Sequence, residues 1–172
     1  LKLKEVYQLL ESITDKAEDV VGVAALSLGR LDAPGAAAFL KAQLARESRW
    51  WDAVRGGALL GLAELEDPAL VPLFRTYTGP AYVSETRAAA LDGWVRAAPA
   101  DPALAARLRE LVSDRSRTIR EAAVSKLGAM HRADDVAFLR DFAAKELDPD
   151  LAAAARGAAD EIDGFVRKEA AE

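Results

Sequence analysis

The chain has 172 residues, 51% hydrophobic but only 6% aromatic, with a formal net charge of −5. An acidic balance gives no global field to draw in phosphate backbones, so nucleic acid is not an expected partner. The absence of cysteine excludes disulfides, thiolate metal sites and cysteine nucleophiles, and no uncharged run approaches the roughly 20 residues that span a bilayer.

Taken in order, the first predicted helix runs over about Lys2 to Ser12, with Leu3, Val6, Tyr7 and Leu10 at helical spacing, and its partner over about Lys16 to Leu31. Asp32-Ala33-Pro34-Gly35 forms a connection, because aspartate suits a helix cap and proline a first helical turn. A helix over about Pro34 to Arg46 follows, then the stretch Asp52 to Leu65. Pro68 and Pro102 open the next two units and, with Pro34, stand 34 residues apart. Pro72 predicts a short or bent helix in the third unit, and Thr76 to Ala81 is the longest turn-like interruption. Leu104, Leu108 and Leu111 mark the fourth unit. Val136, Phe138, Leu139 and Phe142 mark the fifth, before Leu147-Asp148-Pro149-Asp150 and a last helix over about Leu151 to Val166. The polar tail after it would finish the stack by turning its outer face to water.

The second helices are copies of one pattern. With Val54 as column zero, its equivalents are Val20, Thr86, Ile119 and Leu151, at spacings of 34, 32, 33 and 32 residues. Four positions on stand Ala24, Ala58, Ala90, Ala123 and Ala155; eight on stand Leu28, Leu62, Trp94, Leu127 and Ala159; eleven on stand Leu31, Leu65, Ala97, Met130 and Ile162. Offsets of 0, 4, 8 and 11 share one helix face, so these are the expected core columns. The third column is mostly small (Val23, Gly57, Ala89, Ala122, Ala154) and demands close helix approach. A period near 33 means stacked units that bury a core only against their neighbours. The expected fold is all-α, an α-α superhelix of about five hairpins in one domain over 1–172, with units at about 1–32, 33–66, 67–99, 100–132 and 133–167.

Column zero followed by arginine (Val54-Arg55, Thr86-Arg87, Ile119-Arg120), then alanine, then Leu127-Gly128, resembles HEAT repeats. The segment SRWWDAVRGGALLGLAEL, Ser48 to Leu65, is similar to the Trp-x-x-Val-Arg-x-x-Ala-x-x-x-Leu block in the C-terminal helical-repeat domain of bacterial zinc aminopeptidases of the aminopeptidase N-like family. That resemblance extends over about Asp15 to Asp163. It implies a non-catalytic piece of a metallopeptidase that packs beside an upstream catalytic domain and helps to enclose its substrate chamber, with peptide substrate as a further contact. The family's H-E-x-x-H motif is absent, and the single histidine, His131, cannot supply two zinc ligands. No cofactor is therefore expected on this chain, and zinc is expected only in the catalytic domain. A chain that opens at Leu1 fits such a fragment. Its localisation is open, with the cytoplasm favoured. The alternative is a free-standing HEAT-type scaffold binding another protein along its concave side.

Four groups of residues carry the candidate contacts. Arg55, Arg87 and Arg120 either form a guanidinium ladder for a peptide carboxylate or acidic partner, or tie inter-helix turns to nearby acids such as Glu47, Asp52, Glu85 or Asp114. Trp50 and Trp51 are adjacent, so they diverge on a helix start; one plugs a junction and the other is a candidate contact anchor, unless both are buried. Column six holds Leu26, Leu60, Asp92, Ser125 and Gly157, opposite the core stripe. Outward Leu26 and Leu60 make a candidate docking patch for the upstream domain, or else are covered by curvature of the array. Apolar surface bared by loss of a neighbour would drive dimers of the isolated chain. His131, next to Met130 near a helix end, and the acid pairs at helix starts are assigned no chemistry.

Overall fold

The computed structural model describes residues 18–31, 35–45 and 52–171. The expected first helix, Trp50, Trp51 and Glu47 lie outside these residues. Among the described residues the protein is all-α, with helices α1 (Glu18–Arg30), α2 (Ala36–Gln43), α3 (Ala53–Ala63), α4 (Val71–Tyr77), α5 (Ser84–Ala97), α6 (Pro102–Leu111), α7 (Arg117–Ala129), α8 (Ala133–Lys145) and α9 (Pro149–Glu169). They pair as hairpins α2/α3, α4/α5, α6/α7 and α8/α9. The chain divides between Pro99 and Ala100 into two compact units.

Asp32, Ala33 and Pro34 lie outside the described residues; the later proline and aspartate signals do what their chemistry predicts. Asp67, Asp101 and Asp148 each sit just ahead of a proline and accept a backbone N–H of the first turn, from Ala69 and Ala103 at 2.9 Å and from Asp150 at 3.1 Å. Each supplies one of the acceptors a helix start lacks. Pro72 falls in the first turn of α4, which follows a 3-10 turn at Pro68–Leu70 and lasts only seven residues, the short element its proline implies.

In the N-terminal unit the second helices stack in sequence order, α1 on α3 and α3 on α5, the arrangement of a helical solenoid. Val54, Ala58 and Leu62 in α3 and Thr86, Ala90 and Trp94 in α5 are buried in columns zero, four and eight. Burying each leucine contributes about 1.5–3 kcal/mol. In the C-terminal unit α9 packs on both α7 and α8, and the same columns close on Ile119, Ala123, Leu127, Leu151, Ala155 and Ala159. Column eleven is deeply buried only at Ile162 and Ala97.

The first unit departs from its expected register. Val20 and Leu31, expected in the core, are 53% and 61% exposed, while Val21 and Ala25 are buried beside Leu28. Glycine contacts cause the rotation. A methyl group built on Gly29 would lie 1.9 Å from the Gly61 carbonyl oxygen, and one on Gly57 would lie 2.2 Å from that of Gly22. The two backbones touch only when α1 presents Gly22, Ala25 and Gly29, which turns it by one residue, about 100°. The small column survives where it meets a neighbour, at Gly57 and Ala89; Val23 and Ala154 are exposed.

Candidate functional site

The close approach of α1 and α3 leaves a groove of about 270 Å³ on the N-terminal unit, lined by Gly22, Val23 and Leu26 from one helix and Ala53, Gly57 and Leu60 from the other. Because Gly22 and Gly57 carry no side chain, the floor is backbone; Leu26 and Leu60 are half-buried walls, and Val23 is 65% exposed at the rim. The two leucines of column six are thus brought to one apolar depression. In α5 the same column holds Asp92, half-buried, and in the C-terminal unit Ser125 and Gly157, both exposed.

The arginine column has a different use. Arg55 Nε donates to the Leu44 carbonyl at 3.1 Å, Arg87 Nε to Thr78 at 3.2 Å, and Arg120 Nη1 to Asp114 at 3.1 Å. Each acceptor lies at or just beyond the end of the first helix of the arginine's own hairpin, where the last carbonyls have no intrahelical partner. Arg87 is buried and Arg55 mostly so. The three side chains act as staples within their hairpins, and Asp52, one of the acids named as partners, receives Arg55 Nη1.

Asp52 is the most constrained of these groups. It stands in the left-handed region at φ 58°, is buried, and accepts both Arg55 and, at 2.8 Å, the Thr86 hydroxyl of the next hairpin. Arg55 also lies over the Tyr82 ring at 5.9 Å, and Tyr82 packs against Tyr77 with centroids 4.6 Å apart. Burial, then Tyr82, raises the Tyr77 hydroxyl above its ordinary value. This corner of the unit is a structural knot.

A second tie escaped the sequence reading. Glu64 accepts Arg30 Nε at 3.3 Å and Arg96 Nη1 at 2.9 Å, joining the C-terminal ends of α1, α3 and α5. The Arg96 bond lowers the Glu64 carboxyl below the usual range, against the opposing effect of burial. Arg30, Glu64 and Arg96 all fall ten places after column zero. Charge alternation along that column was the available signal.

His131 ends α7 in the left-handed region at φ 49°, stacks on Phe165 with centroids 4.2 Å apart, and places Nε2 3.5 Å from Glu161. Among the described residues, no group of three His, Asp or Glu side chains is placed to hold a metal ion, and no helix is long and apolar enough to cross a membrane. A scan against protein-family models finds no match. A search of curated proteins finds no significant match either.

Proposed function

We propose that this chain is a non-catalytic helical-repeat domain of a bacterial zinc aminopeptidase of the aminopeptidase N-like kind, which packs against the upstream catalytic domain and helps to enclose its substrate chamber. The observation that carries the reading is the groove on α1 and α3. Its walls, Leu26 and Leu60, belong to the helix pair with the Val54-Arg55-x-x-Ala58-x-x-x-Leu62 block. An apolar depression with a backbone floor suits an apolar side chain from a packed partner. The residues lining it are apolar or glycine, so shape and burial supply the affinity.

The test joins genetics to binding. The reading frame upstream of Leu1 is expected to encode H-E-x-x-H and a distant glutamate, and the segment carrying them, expressed separately, should bind this chain. Leu26→Ser with Leu60→Ser should weaken that association about tenfold or more, as expected for two partly desolvated leucines, while far-UV circular dichroism stays helical. An upstream frame without the zinc motif, or unchanged affinity in the double variant, would remove the reading.

A further inference from the structure

We propose that a cleft in the C-terminal unit, between the ends of α6 and α8, binds a small organic ammonium, a protonated amine carried on a short aryl or alkyl body. The inference is independent of the docking groove. The cleft has a volume of about 350 Å³, at the low end of the range of small-ligand sites, about 300–1,000 Å³. Val112, Phe138 and Phe142 supply its apolar lining. Both phenylalanines are half-buried, so ring surface remains accessible.

The sign of the ligand follows from how the charges around the cleft are partnered. Arg109 Nε donates to the wholly buried Asp135 carboxylate at 2.7 Å, and its guanidinium lies over the Phe138 ring at 5.8 Å. Lys145 Nζ is 2.7 Å from Asp141. Each cation of the lining therefore already has an acid. Glu146 is the acid left over: its Oε1 accepts the Asp148 backbone N–H at 2.9 Å and no cation pairs with it among the described residues. Two helix C-termini add to this carboxylate, since α6 ends at Leu111 and α8 at Lys145, beside the cleft. Such ends carry partial negative charge and favour cations.

The rings point the same way. Phe138 already holds the Arg109 cation on its face, and Phe142 offers a second ring with the same quadrupole, one helical turn further along α8. An ammonium near Glu146 with its apolar body against Phe142 and Val112 meets charge and surface together.

The probe is phenethylammonium, titrated into the full chain and followed by amide and aromatic NMR shifts. Saturation is expected in the millimolar range, the order of magnitude for a ligand of so few heavy atoms, with shifts confined to the last turns of α6 and α8. Glu146→Gln, which keeps the acceptor for the Asp148 N–H, and Phe142→Leu, which keeps bulk but loses the ring, should each weaken binding about three- to fivefold. The matched carboxylate 3-phenylpropanoate should bind more weakly than the amine. Equal or tighter binding of the carboxylate, shifts mapping elsewhere, no saturable shift, or variants with unchanged affinity would each overturn the proposal.

Discussion

At the scale of single residues, Asp52 shows how one acid fixes two hairpins. Its left-handed backbone is one that aspartate tolerates better than most side chains, and its buried carboxylate receives both Arg55 and Thr86. Asp52→Ala removes the acceptor while keeping a side chain that dislikes this backbone, so it should lower unfolding free energy by about 2–3 kcal/mol. Asp52→Asn retains an oxygen acceptor and left-handed tolerance and should cost less than Asp52→Ala. Urea denaturation of the three proteins checks the order; an alanine variant as stable as the parent would show that the contacts to Arg55 and Thr86 contribute nothing. The arginine column was legible as a column, and Asp52 as a partner of Arg55, but the main-chain acceptors were not. Sequence displays acids such as Asp114 and hides main-chain carbonyls, and it was the Asp114 carbonyl that Arg120 found.

At the scale of helices, α1 and α3 are held by absent side chains. Gly29 faces the Gly61 carbonyl, so Gly29→Ala should push the helices apart and cost about 1–3 kcal/mol or more. Gly56 lies in the same α3 helix with nothing within 4 Å of where its methyl would stand, so Gly56→Ala should instead stabilise by about 0.5–1 kcal/mol through helix propensity. Thermal melts of the pair give the answer, since opposite signs are required. The same contacts explain the register error in the first unit. Val20 and Val21 are the same residue type, and the repeat spacing favoured Val20; the choice between them depended on Gly22, Ala25 and Gly29 meeting Gly57 and Gly61, a tertiary contact with no periodic signature. Elsewhere columns zero, four and eight read correctly, with Ala58, Ala90, Ala123 and Ala155 each wholly buried, while column eleven leaves Leu65 and Met130 half-buried. Phe138 and Phe142 were read as packing residues, and the cleft beside them was invisible, because spacing places side chains on a face but does not report how fully that face is covered.

At the scale of the molecule, the two kinds of tie respond differently to solution conditions. The Arg30–Glu64–Arg96 clasp joins the three stacked helices α1, α3 and α5 of the N-terminal unit through one carboxylate. Its folded-state pKa is depressed, so its contribution is present in full above the value of a free glutamate, about 4.3, and is lost as pH falls through the lower folded value. Glu64→Gln should therefore be less stable than the parent at neutral pH, with the difference closing under acid. Denaturant midpoints at neutral pH and below pH 4 measure it; a gap that stays constant or widens in acid would contradict the clasp. The arginine staples are immune to such a change, because guanidinium stays charged and a main-chain carbonyl does not titrate.

That difference reaches beyond stability to how an array of this kind changes length. Arg55, Arg87 and Arg120 each close on main-chain oxygen belonging to their own helical pair, and main chain is present whatever sequence lies on either side. A pair fastened in this way travels with its fastening: copied or excised as a block, it leaves adjoining pairs nothing to rewrite except the fit of their apolar faces. Ties such as Asp52 to Thr86 have the opposite character, since both partners must be inherited together, and they mark the joints at which insertion or loss of a block would be felt.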